Sequence, residues 1–179
     1  AREDFLPLIR QIKNLRLITV HDGTAFYRRR AIAADEAIGD AVLLANVVEI
    51  PHLDPISMIE RADRGQHAVL ALRASGLVDR TLGAPLVGLG RLAGFQLGLR
   101  DLQTLAVPRT LLNQLLAHPD PDLALRFPPR DARVPLAFIE ATHAMPSLRQ
   151  VGQQQRRVAL LQKLLVYVAP RLLMVVTLS

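Results

Sequence analysis

The chain has no cysteine and no tryptophan, and among its 22 Lys and Arg residues only Lys13 and Lys163 are lysine. Without cysteine there are no disulfides, thiolate metal sites or thiol nucleophiles, which fits a reducing, cytoplasmic setting. Aromatic residues make up only 4%, so the core must be built from many small Leu, Val, Ala and Ile contacts rather than a few large rings. Long apolar runs are also missing. The nearest, Val158 to Ser179, is broken by Gln162, Lys163, Pro170 and Arg171, and such residues are costly at a bilayer centre, so no transmembrane segment is expected. At the start, Arg2, Glu3 and Asp4 precede any apolar run, unlike a secretory signal.

The residues that are present suffice for a folded protein. With 179 residues, 50% hydrophobic and 21% charged, the expectation is one globular domain over residues 1–179 rather than a disordered chain. The excess of positive charge is placed unevenly. Residues 1–64 carry nine basic and ten acidic side chains and residues 65–179 carry thirteen and six, with no acid after Glu140. Arg149, Arg156, Arg157, Lys163 and Arg171 thus form an unopposed basic tail that attracts anionic surfaces over a Debye length. The preference for Arg over Lys has two sources, GC-rich coding or bidentate recognition of carboxylate and phosphate.

Periodicity predicts an α+β protein that is predominantly helical and carries an N-terminal β-hairpin, with an all-α fold as the alternative. Phe5, Leu6, Ile9, Ile12 and Leu15 have helical spacing. The runs 15–20 and 24–32 flank Asp22-Gly23, a hairpin turn signal that would put Phe26, Arg28 and Arg30 on one strand face. Residues 35–50 read as a helix capped by Asp35, although 41–50 fits a buried strand equally well. Asp54-Pro55 is a helix start for residues 55–64, and residues 67–75 read as a second short helix. Gly90, Gly94 and Gly98 recur every four residues on one face of a Leu-rich helix, where another helix can approach closely. Pro108 opens a helix over 109–118, and the prolines of 119–135 mark an exposed loop. Val158, Leu161, Leu165 and Val168 follow the spacing of a coiled-coil seam, or else residues 164–178 form two buried strands.

The short motifs do not assemble into a reaction. Glu49-Ile50-Pro51-His52 and Glu140-Ala141-Thr142-His143 match the Glu-x-x-His tetrads of di-metal helix bundles, but Pro51 interrupts the first. Gly88-Leu89-Gly90-Arg91-Leu92-Ala93 fits a dinucleotide-binding turn, yet the required strand is too short and Asp101 comes too early for the ribose. His21-Asp22 is accounted for by turn chemistry, and no serine sits in a nucleophile elbow. A helix-turn-helix around Gly76 is broken at Gly83 and Pro85. No catalytic residue, metal ligand or cofactor is therefore assigned.

Three functions remain in order. The first is a non-enzymatic assembly or adaptor subunit that binds itself or a protein partner through Gly90, Gly94, Gly98, Val158, Leu161, Leu165 and Val168. The second is an anion-binding protein, for nucleic acid or a peripheral membrane surface, using Arg28, Arg29, Arg30, Arg149, Arg156, Arg157 and Lys163. The third is an enzyme for a small molecule, metal-dependent or metal-free, with Glu140 and His143 as its acid/base or metal pair.

Overall fold

A computed structural model of the chain describes residue 11 and residues 13–73, 87–96, 101–142 and 162–170. Its centre is a four-stranded mixed sheet in the order β1-β3-β2-β4, formed by β1 (Ala41–Leu44), β2 (Ala68–Leu72), β3 (Asp101–Pro108) and β4 (Leu136–Glu140). β3 runs antiparallel to both β1 and β2, while β2 and β4 are parallel. The ladder is regular where Val69 faces Ala106 and Leu70 faces Leu105, then shifts so that Leu72 faces Asp101. Extra residues on β3 are accommodated there, as in a β-bulge.

Period-two alternation sorts the strand side chains onto two faces. Val42, Leu44, Ala68, Leu70, Leu105 and Val107 share one buried cluster, and Val69, Ala71 and Ala106 share another. On the first face lie α1 (Phe26–Asp35) and α4 (Arg109–Leu116), which contribute Ala31, Ala34, Leu112 and Leu115. The second face is covered by α2 (Pro55–Gly65) through Met58 and Ala62, both fully buried. Burying a side chain of Met58's size contributes about 1.5–3 kcal/mol, so α2 is held by few but complete contacts.

The expected N-terminal hairpin is overturned. Asp22-Gly23 does turn the chain, with Gly23 at φ +89° and Thr24 N–H donating to the His21 carbonyl at 3.1 Å. The turn leads into helix α1, and the first strand begins only at Ala41. The physical reason is visible in the burial: Tyr27, Ala31 and Ala34 are the buried residues of 26–35, an i, i+4, i+7 stripe that an alternating strand cannot produce. With four central strands the fold is not predominantly helical, and the all-α alternative is likewise excluded. Residues 41–44 are strand, while Ile50–His52 form a 3-10 turn, so the ambiguous run 41–50 is neither one helix nor one strand. Residues 67–75, read as helix, supply β2 instead. Its run of Ala, Val and Leu is buried on both faces, where no amphipathic stripe survives to be read.

Two helix starts form as their sequence implies. Asp54 Oδ1 accepts from the N–H groups of Ile56 and Ser57, each at 3.2 Å, and Oδ2 accepts from Ser57 Oγ at 2.6 Å. α4 follows Pro108 directly. Residues 119–135, expected as an exposed loop, include α5 (Pro121–Ala124) and bury Leu123, Leu125 and Phe127. Asp120 Oδ1 caps α5 at Leu123 N–H, 3.2 Å away. Here proline punctuates a packed segment rather than a solvated one.

Residues 87–93 are helical (α3), as are residues 162–170 (α6). Ala93, Leu164 and Val168 pack with Tyr27, Phe95, Leu123 and Phe127 in a third cluster. The expected Leu165 and Val168 seam is split: Val168 is buried in this cluster, together with Leu164, while Leu165 is half-exposed. Spacing by four places Leu164 and Val168 on one face and turns Leu165 away.

Candidate functional site

β4 forms one edge of the sheet, and two hydrogen bonds fix which way its backbone points. Ala68 N–H donates to the Pro135 carbonyl and Ala141 N–H donates to the Leu72 carbonyl, both at 2.9 Å. In a parallel ladder the bonding direction alternates along the strand. Residues 137 and 139 therefore turn their N–H and C=O groups toward β2, whereas Leu136, Phe138 and Glu140 turn theirs away from it. Among the described residues no strand pairs with that outer side.

The same alternation separates the side chains. Ala137 and Ile139 pack beneath α2, Leu136 packs on the opposite face, and Phe138, on Leu136's side, is 46% exposed. Beside β4 lies a groove of about 870 Å³ bounded by Ser57, Glu60, Arg61 and Arg64 of α2, by His67, and by residues 136–139 of the strand. This flank of α2 is polar because the apolar Met58 and Ala62 occupy the sheet-facing side. Arg64 Nη2 pairs with Glu60 Oε2 at 3.2 Å one helical turn away. The site thus combines backbone groups of Leu136 and Phe138 that no described strand pairs, an exposed ring and a flank bearing both signs of charge. That is equipment for adding a strand.

The residues singled out in the sequence fall elsewhere. Gly94, at φ +87°, sits just after α3 and donates its N–H to the Arg91 carbonyl at 3.1 Å, while Phe95 N–H reaches the Gly90 carbonyl at 2.9 Å. This pair of bonds is a Schellman cap, so Gly94 is required for a left-handed turn rather than for helix approach. Gly98, Val158 and Leu161 lie outside the described residues, as do Arg149, Arg156, Arg157 and His143. Arg28, Arg29 and Arg30 are on helix α1, not on a strand, with Arg28 and Arg29 exposed. Lys163 is paired with Asp122.

Arg30 differs from its neighbours. Its Nε is buried without a hydrogen-bond partner. Burial pushes the guanidinium pKa down to about 10, the nearby guanidinium of Arg126 pushes it the same way, and Glu49 and Tyr27 act against them.

Glu49, the acid of the first Glu-x-x-His tetrad, is buried and fully engaged. It accepts from Gln103 N–H at 3.0 Å, Thr104 N–H at 2.8 Å, Thr104 Oγ1 at 2.7 Å and Asn46 Nδ2 at 3.1 Å. A carboxylate so occupied ties the 46–49 turn to β3 and has little capacity left for a metal. Among the described residues no group of three or more His, Asp or Glu side chains is placed to hold a metal ion. The chain matches no protein-family model, no curated protein and no solved structure, so its function must be sought in this geometry.

The β4 edge escaped the sequence reading. Its signal was the alternation of Leu136, Phe138 and Glu140 with Ala137 and Ile139, behind Pro135. Nothing in a sequence says whether a strand lies at an edge or in the middle of a sheet.

Proposed function

We propose that this protein is an assembly subunit that pairs with a second copy of itself through the outer edge of β4, which no described strand covers. Support comes from one observation above the others: the outward backbone groups of Phe138 lie at the midpoint of β4, and its ring is 46% exposed. Two β4 strands related by a two-fold axis through Phe138 would exchange both N–H···O=C bonds at that residue, set its ring against its own copy, and join the two sheets into one. The polar flank of α2 suits the same arrangement. Glu60 lies among Arg61 and Arg64, so antiparallel apposition brings the acid of one copy toward the bases of the other. A single-sign flank would oppose self-pairing.

Light scattering after size exclusion tests this with Phe138→Pro and Phe138→Val. Proline removes the outward N–H of residue 138 and leaves those of Ala137 and Ile139, which face β2. The expected result is a dimer for the wild type and for Phe138→Val at micromolar concentration, and a monomer with unchanged far-ultraviolet circular dichroism for Phe138→Pro. A wild-type monomer at every concentration tested, or a Phe138→Pro dimer as tight as wild type, overturns the proposal.

A further inference from the structure

The outer edge of β4 has two ends, and both are closed. Past Glu140, Thr142 N–H and Thr142 Oγ1 each donate to the His52 carbonyl at 3.0 Å. His52 is the last residue of the Ile50–His52 turn, and its N–H donates to the Glu49 carbonyl at 3.0 Å. Glu49 in turn is tied to β3, where its carboxylate accepts from Gln103 N–H and Thr104 N–H. Residue 142 is therefore held from β3 through Glu49 and His52, and its N–H is already committed. At the other end Pro135 has no N–H. Val134, the next residue in the outward series before Leu136, is only 3% exposed and belongs to the first apolar cluster. Leu136, Phe138 and Glu140 are what remains for pairing.

This window is symmetric about Phe138. Antiparallel strands exchange hydrogen bonds where residues with outward groups face one another. With the two-fold axis at Phe138, Leu136 of one copy faces Glu140 of the other, and every outward residue is used. An axis at Ile139 would set Leu136 against Thr142, whose N–H the His52 carbonyl holds. An axis at Ala137 would set Glu140 against Val134, which is buried. A slip in either direction thus loses hydrogen bonds that the central register makes. We infer that the His52–Thr142 contact, braced by Glu49, is a register stop that confines pairing of β4 to the axis at Phe138. Without such a device a strand paired along one edge is prone to slippage. The stop presupposes the self-pairing proposed for β4, and it gives the buried carboxylate of Glu49 a part in specifying the partner.

Because the chain has no cysteine, single thiols can read the register while leaving Phe138 intact. Ala137→Cys and Ile139→Cys proteins are mixed at equal concentration in a glutathione redox buffer, the linked species are resolved by mass, and the wild type is followed by light scattering. With the axis at Phe138, residue 137 of one copy faces residue 139 of the other as a non-hydrogen-bonded pair with Cα atoms about 4.5 Å apart, within disulfide reach. The mixed disulfide should therefore outnumber the two homodisulfides several-fold. An Ile139→Cys homodisulfide reports an axis at residue 139, and an Ala137→Cys homodisulfide one at residue 137. Thr142→Pro removes both donors of the stop. Introduced into both proteins, it should raise the Ile139→Cys homodisulfide several-fold and leave the Ala137→Cys homodisulfide unchanged. A statistical mixture from the intact chains overturns the stop, as does a distribution that Thr142→Pro leaves unaltered. Should Thr142→Pro fail to fold, the intact chains decide by the same criterion. A wild-type monomer overturns self-pairing itself, whereas a wild-type dimer with scrambled disulfides overturns the stop alone.

Discussion

Lys163 Nζ lies 2.7 Å from Asp122 Oδ2 and 3.6 Å from Asp120 Oδ1, which fastens α6 to α5 at the border of the third apolar cluster. Asp122 is buried and its Oδ1 has no hydrogen-bond partner, so Lys163 is the cation that makes its charge tolerable. Lys163→Met should destabilise the protein by about 1–2 kcal/mol, less than for a fully buried pair because solvent screens the lysine. Urea unfolding measures this. An unchanged midpoint would mean that the pair contributes nothing and that Lys163 is available to ligands, as its sequence position suggested.

Gly94 separates two explanations of the glycine series. As a left-handed cap at φ +87°, Gly94→Ala should cost about 1–2 kcal/mol, since an L-residue meets its own carbonyl there. The oligomeric state should not change. Loss of a dimer at undiminished stability would instead restore the close-packed glycine face.

Arg30 should leave a mark on the alkaline stability curve. Its pKa in the folded protein is lowered to about 10, so above that pH the folded chain has released a proton that the unfolded chain still holds. Stability is favoured as pH rises wherever the unfolded state binds more protons. The difference in unfolding free energy, wild type minus Arg30→Met, should therefore become more positive with increasing pH above about 10 and be flat below it. Taking the difference cancels the tyrosine titrations common to both proteins.

At the acid end the slope has the same sign, because there too the unfolded chain holds more protons. The Ser57 hydroxyl and the Ser57 and Ile56 N–H groups hold the Asp54 carboxyl below its ordinary range. Its contribution is present above the ordinary carboxylate pKa and is lost as pH falls through the lowered value. Asp54→Ser keeps a capping oxygen without a titrating group. The variant should lose less stability on acidification than wild type does, measured as the change in thermal midpoint between neutral pH and the acid limb.

Local signals in the sequence were legible where a few neighbouring residues decide the outcome. Asp54-Pro55 gave a capped helix and Pro108 gave the start of α4, because caps and proline geometry act within one turn. The Asp22-Gly23 turn was also readable, but its partners were not: whether a turn joins two strands depends on what covers them. β2 was mistaken for helix because it is apolar on both sides, and the two layers that bury it come from segments distant in the chain. The outward edge at Phe138 was hidden for a related reason. Burial of strand β4 on one side and freedom on the other is a property of sheet order, which no window of residues contains. Arg30 was named with Arg28 and Arg29 as one cationic strip, and only the helical turn of α1 separates it from them.

Strand order has a further consequence for how the protein is made. β1 and β2 are successive in the chain but do not touch; each hydrogen-bonds to β3, which is synthesised later. A nascent chain that ends before residue 101 therefore holds two apolar strands with no mutual partner, both waiting for the same template. Among the described residues no two strands are joined by a short hairpin, so forming the sheet requires closing long loops. Until β3 has left the ribosome, residues 41–44 and 68–72 present bare edges to other chains, and this interval is when chaperone protection would matter most.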